Sequence, residues 1–345
     1  MVNSGVVLQA TDLQMFPFAA YTGDTGLTGG IKHFVQDLRE PGDRFESLLL
    51  LSLRNQLIGD WIYTRPAQLG GFYRGELELK NYPSYFFGIG NSNTVAQKSA
   101  FTMASQKLSY EWGQVREDRV RWSFLGEADL TSALSTDGSA VFSAIDTGAV
   151  NVYTVGFKMA LDQLDRPQNP LAGEFLGGEL RYAVAHDTVY LQGNVDYRQY
   201  LQIRHTGWTP TENGLETINL ALRGYTGAQA GAVPFYHLFS LGGVNLLRGY
   251  AEGRFRDRSV LGLGLELRQD LALPADWHMP WPVQAAYFIE GGKVFDSWFG
   301  FTFDEFHASQ GLGLRILLRP DAVVRVDYAF GEDEQGLYFA FGQAI

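Results

Sequence analysis

The chain has 345 residues, 46% hydrophobic and 19% charged, with a formal net charge of −11 and a mean hydropathy of −0.11. No stretch approaches the ~20 apolar residues of a membrane-spanning helix, and the acidic balance argues against nucleic acid, which wants a basic face. The lack of cysteine excludes disulfides and thiolate metal sites, whereas 40 Gly beside 24 Phe, 17 Tyr and 7 Trp favour an all-β chain rich in turns and aromatic girdles.

In chain order, Met1-Val2-Asn3-Ser4-Gly5 carries neither a basic nor an apolar signal segment, so a secretion signal is expected to have been removed if the chain is exported. Helical periodicity is then nearly absent and period-two alternation dominates. It predicts strands at 12–21, 26–35, 44–54, 56–66, 70–82, 98–113, 116–132, 147–162, 172–186, 188–204 and 214–228. Five more follow at 257–271, 281–294, 307–319, 321–330 and 336–345, making sixteen. The alternation is clearest where Tyr153, Val155, Phe157 and Met159 oppose Thr154, Gly156 and Lys158. It is as clear where Leu261, Leu263, Leu265 and Leu267 oppose Gly262, Gly264, Glu266 and Arg268.

Such strands suit a soluble sandwich or propeller with apolar faces inward, or a transmembrane barrel with apolar faces toward lipid. Length decides. Soluble strands average about five or six residues, and barrel strands need about nine to eleven to cross at a tilt. The expected fold is therefore a 16-stranded antiparallel transmembrane β-barrel, one domain over residues 1–345, with both termini on one side. Short turns at Asp187-Thr188 and Arg319-Pro320-Asp321 are expected on the periplasmic side. Longer connectors at 83–97, 133–146, 205–213 and above all 229–256 are expected outside or in the lumen.

The longest connector reads Phe239-Ser240-Leu241-Gly242-Gly243-Val244-Asn245-Leu246-Leu247-Arg248-Gly249-Tyr250. With its Gly-Gly segment and Arg-Gly-Tyr signature between the eleventh and twelfth strands, it resembles the loop of the bacterial surface antigen family, the BamA/TamA superfamily of outer-membrane assembly and translocation barrels. Phe86-Phe87-Gly88-Ile89-Gly90-Asn91, Phe288-Ile289-Glu290-Gly291-Gly292 and the closing strand are similar to other family segments, in the family's order. In the last strand Gly336, Leu337, Phe339, Phe341 and Ile345 resemble a C-terminal assembly signal, with Ile345 where the family carries an aromatic residue.

A guanidinium folded into a lumen needs a carboxylate. Alternation turns Glu290 inward with Gln284 and Gly292. The resemblance implies that Glu290, where the family usually carries Asp, receives Arg248, with Glu266 and Arg268 nearby. Gly291 and Gly292 would let the loop approach the wall. The ion pair either gates the lumen or only pins a plug.

The resemblance further implies an outer-membrane barrel whose partners are the bilayer, lipopolysaccharide and client outer-membrane proteins or a passenger domain. Its assembly and translocation members carry periplasmic domains, for which the residues before the first strand leave no room. The function expected is insertion or translocation of proteins through a weak seam between first and last strands; Pro17 and Gly342 are compatible with such a seam. The alternative is a plugged channel or an anchor for an N-terminal domain such as a patatin-like lipase. No enzyme activity, cofactor or metal is expected: His33, His186, His205, His237, His278 and His307 lie in no metal-ligand spacing and no nucleophile elbow is present.

Overall fold

The computed structural model describes residues 12–345 apart from 23–25, 54–55, 118, 137–141, 143–147, 167–168, 187, 205–216, 272–280 and 319–321. The amino terminus, His205, His278, the 205–213 connector and the turn at 319–321 thus lie outside the described residues.

Period-two alternation over long stretches can be satisfied only by strands with two unlike faces. They are β1 (Asp12–Thr22), β2 (Gly26–Gln36), β3 (Arg44–Ser52), β4 (Leu57–Pro66), β5 (Gly71–Phe86), β6 (Ser99–Arg116), β7 (Val120–Thr136), β8 (Val150–Asp162) and β9 (Gly173–Ala185). There follow β10 (Thr188–Arg204), β11 (Thr217–Gly231), the short pair β12 (Phe239–Leu241) and β13 (Phe255–Asp257), and β14 (Ser259–Asp270). The chain finishes with β15 (Val283–Phe295), β16 (His307–Leu318), β17 (Ala322–Phe330) and β18 (Gln335–Phe341). Sixteen of these form one antiparallel meander in chain order, and β12 pairs only with β13.

The expected strand count therefore holds, with shifted ends. β5, β7 and β11 run on to Phe86, Thr136 and Gly231, so parts of the expected connectors are strand. A meander also fixes the ends at which its turns lie, because each strand reverses the last. β9 ends and β10 begins at the same end of the sheet as the β11–β14 connection, called here the upper end, whereas β16 ends and β17 begins at the lower end. The strand ends that flank the two turns expected on one side are thus at opposite ends of the sheet, because strand parity and not loop length decides.

The outer face is apolar: Tyr153, Val155, Leu180, Leu191, Leu263 and Leu312 are all exposed. The inner face carries Lys158, Glu179, Arg181 and Asp196, with ion pairs across strands from Lys158 to Glu179, from Arg181 to Glu127 and from Arg223 to Asp196. This inversion of the soluble pattern is that of a transmembrane barrel. The main buried cluster lies inside the sheet, where Phe239, Leu241, Leu246, Leu247, Tyr250 and Phe255 of the β11–β14 loop pack on Val260 and Val294. Each such fully buried large side chain contributes about 1.5–3 kcal/mol.

The two edge strands, β1 and β18, come into contact, but among the described residues no hydrogen-bonded ladder joins them. The last strand is also shorter than expected. It stops at Phe341, Gly342 adopts φ +79°, and residues 343–345 turn into the lumen. Ile345 is not the end of a wall strand; it is buried against Tyr200 and Ala221. A positive φ breaks the ladder, which alternation in the sequence cannot show.

Candidate functional site

The β11–β14 loop enters the lumen as a small hairpin. Gly242 and Gly243, at φ +103° and +98°, turn the chain after β12, and the Gly243 N–H donates to the Tyr250 carbonyl at 3.0 Å. A Cβ on Gly242 would lie 2.2 Å from the Ala251 oxygen, so only glycine permits this turn. Gly249 is held against the β17–β18 turn, where a Cβ would lie 2.3 Å from the Gly331 nitrogen. On the wall, a Cβ on Gly262 or Gly292 would meet Leu246 or Leu241 of the loop at 2.3 and 2.7 Å. Gly291 does not share this role. It faces outward, and its Cβ position is met by Phe306 on the other side of the wall.

This seating delivers Arg248 to the lumen faces of β14, β15 and β17. Its Nε reaches Glu290 Oε1, its Nη1 Asp327 Oδ2 and its Nη2 Glu266 Oε2, each at 2.9 Å. Its backbone N–H donates to Glu290 Oε2 at 2.7 Å, and the guanidinium lies 3.4 Å from the Phe288 ring centroid. The Glu290 contact expected from the loop motif is therefore present, and it is one of three.

Three further arginines complete the network. Arg268 Nε pairs with Glu266 Oε1 at 2.7 Å. Arg315 bridges Glu266, at 3.1 Å, and Asp327. Arg325 pairs with Asp327 at 2.8 Å. The side chains of Arg248, Arg268, Arg315, Glu266, Glu290 and Asp327 are 0% exposed. Four guanidiniums thus face three carboxylates. Backbone oxygens supply further acceptors: Val244 for Arg325 and Ile345 for Arg268, both at 2.8 Å. Such a network is costly to desolvate and very costly to break.

The inturned tail is part of it. Gln343 accepts from Arg315 Nε at 3.1 Å and donates to Asn169 at 2.8 Å. The Ala344 carbonyl accepts from Arg223 at 3.2 Å.

A second clamp holds the loop from above. Tyr250 donates its hydroxyl to the Ala308 carbonyl and accepts the Glu332 N–H, at 3.2 and 3.1 Å. The Tyr338 hydroxyl donates to the Tyr250 carbonyl at 2.8 Å. Arg254 pairs with Asp333 at 2.9 Å and Glu334 at 3.2 Å. Burial holds the Glu334 carboxyl above its usual range, against the pull of the Ala251 N–H and Arg254. The Phe86–Asn91 segment is the third point of attachment. Gly90 N–H donates to the Arg256 carbonyl at 2.7 Å, and Asn91 ties Val294 to the Glu305 carbonyl.

Gly242, Gly243, Arg248, Gly249 and Tyr250 of the loop thus meet Glu266, Arg268, Glu290 and Gly292 of the wall at one site, and Gly291 does not join them. In the last strand, Leu337 is exposed outward while the alternate Tyr338 faces inward. A Cβ on Gly336 would meet the Tyr338 ring. The Phe341 side chain lies outside the described residues. Sequence reasoning missed Asp327, Arg315, Arg325, Phe288 and the lumenal tail. Inward parity marks the first four, but only strand register shows that they meet. Of the histidines, His307 stacks on Phe255 at 3.9 Å and donates from Nε2 to the Asn91 carbonyl at 2.9 Å, and His237 lies 3.8 Å from Asp129.

A 16-stranded antiparallel sheet, apolar outside, with a loop arginine locked to its inner wall, defines an outer-membrane barrel that carries its own lumen insert. Residues 73–345 match the Omp85 superfamily domain, and the chain belongs to that superfamily. A search of curated proteins by sequence found no match. Among solved structures the chain is similar to BamA from Haemophilus ducreyi lacking POTRA domains 1–3, at 14% identity and a TM-score of 0.65, covering 96% of this chain and 70% of that one. It is also similar to CdiB from Acinetobacter baumannii, at 11% identity and a TM-score of 0.60, covering 96% and 64%. CdiB from Escherichia coli aligns at 10% identity and a TM-score of 0.60, covering 95% and 59%. The chain spans less than two thirds of either CdiB, and these likenesses concern the fold.

Proposed function

We propose that this barrel inserts or translocates proteins across the outer membrane through a lateral seam between β1 and β18. In this reading residues 1–345 are one barrel domain, the upper end faces outward, and the partners are the bilayer, lipopolysaccharide and client proteins or a passenger. Its work is transport and not catalysis.

The observation that carries the reading is the seam. β1 has eleven residues, β18 has seven, and the two touch without a ladder among the described residues. An edge strand without its partner offers a row of N–H and C=O groups to an incoming strand. Tethering β1 to β18 by a cysteine pair tests this. Insertion of client barrels into vesicles is expected to fall when the disulfide forms and to recover on reduction. Equal activity in both states would sink the seam mechanism.

The filled lumen favours a second reading, a plugged channel or an anchor for an N-terminal domain such as a patatin-like lipase. In that case the tether changes nothing, and releasing the loop changes conductance alone.

A further inference from the structure

We propose that the outer wall of β9–β11 binds one phosphate-bearing membrane lipid, an acyl chain lying in a groove beneath Trp298 and the phosphate beside Arg258. The site lies well away from the seam and is independent of the reading above.

The β15–β16 loop does not rise from the barrel; it folds over the outside. Lys293, an outward position on β15, is buried beneath it and donates to the Thr302 and Asp304 carbonyls at 3.2 and 2.6 Å. The Ser259 hydroxyl reaches the Asp296 carbonyl at 3.4 Å. Trp298, Phe301 and Phe303 then pack in sequence, the first pair tilted and the second edge-to-face, with ring centroids 5.0 and 4.9 Å apart. Phe299 and Phe303 are 105% and 77% exposed, which suits a membrane interface and not water.

Under this roof the wall is hollow because its outward positions are small. Gly193 on β10 pairs with Leu180 on β9 and Ala228 on β11, and Gly178 on β9 pairs with Val195. Phe157 and Leu180 form one bank and Trp298 the other, around an apolar cavity of ≈ 590 Å³. A second hollow of ≈ 1000 Å³ shares Phe157, Leu180, Gly193, Ala228 and Trp298, and extends to Arg258 and Asp296. These volumes fall in the range of small-ligand sites, about 300–1,000 Å³.

The occupant follows from position and charge. The groove continues the lipid-facing belt of Val155, Leu180 and Leu191, so a hydrocarbon chain reaches it without leaving the membrane. At its polar end Arg258 holds Asp296 through Nε at 2.7 Å, and both side chains are exposed. The Nε and Nη2 fork of Arg258 is held by Asp296, and an exposed guanidinium can exchange that carboxylate for phosphate oxygens, which the same fork fits.

The test is native mass spectrometry of the folded barrel released from maltoside micelles doped with phosphatidylglycerol. One retained lipid per barrel is expected. Ala228→Phe, which fills the floor, should lower retention about tenfold. Trp298→Ser removes the roof from an exposed loop and should do the same if Ala228→Phe fails to fold. Leu263→Phe, on the lipid belt of β14 away from the groove, should retain lipid as the parent does. Arg258→Gln should weaken phosphatidylglycerol, and diacylglycerol should be retained poorly throughout. Equal retention in Ala228→Phe or Trp298→Ser and in Leu263→Phe overturns the groove. Diacylglycerol binding as well as phosphatidylglycerol overturns the phosphate site. A second protein copy in place of a lipid adduct overturns the proposal.

Discussion

Arg248 uses its three side-chain nitrogens on three different carboxylates, and each comes from a different strand: Glu266 on β14, Glu290 on β15 and Asp327 on β17. Truncation therefore leaves Glu290 buried without its cation, while Glu266 and Asp327 keep Arg268, Arg315 and Arg325. Arg248→Ala is expected to cost about 3–5 kcal/mol, seen as a lower urea midpoint for the barrel in micelles. Arg248→Lys keeps a point charge but cannot span three partners, and should fall between parent and Ala. The Arg248–Glu290 pair was legible because one motif carries each partner. Asp327 and Arg315 were not, since inward parity says only that a charge enters the lumen. Which charges meet depends on register across four strands.

At the scale of elements, alternation located all sixteen wall strands because the pleat has a period of two. It failed at their ends. β5 continues through Pro83 to Phe86, paired with β6 to its last residue, across the start of the connector expected at 83–97. At β18 the apolar positions Leu337 and Phe339 continue in rhythm toward the terminus, while the ladder with β17 stops at Phe341. The reason is the left-handed backbone at Gly342. No atom lies within 4 Å of a Cβ placed there, so substitution acts through backbone strain alone, about 1–2 kcal/mol. In a chain carrying Ile345→Cys, adding Gly342→Val is expected to speed maleimide labelling of the thiol, because the tail leaves the lumen. Unchanged labelling would show that the tail's own contacts with Arg223, Arg268 and Arg315 suffice to hold it.

Over the whole molecule, loop, network and tail occupy one interior. The parent is expected to give small single-channel currents in planar bilayers, and Arg248→Ala to raise them if the loop leaves its seat. Gly249→Val should act similarly without removing any charge, because its side chain would collide with the backbone at Phe330 and Gly331. Currents that stay at the parent level in both variants would show that the upper clamp of Tyr250 and Arg254 is sufficient. The barrel class was legible from strand length and face chemistry; the ends at which turns lie were not, because loop length is a poorer guide than the parity of a meander.

The charged residues of β14, β16 and β17 also act on the path to this structure. Glu266, Arg268, Arg315, Arg325 and Asp327 all share the inward parity of their strands. A slip of one residue in any of these strands would turn its charges into hydrocarbon, at a cost of about 2–4 kcal/mol for each Arg near the bilayer midplane. The same side chains that seat the loop thereby penalise every misregistered assembly of the wall. A nascent barrel cannot bury its final strands stably until each is in step with its neighbours and Arg248 has arrived. The network thus opposes register slips in the wall as well as seating the loop.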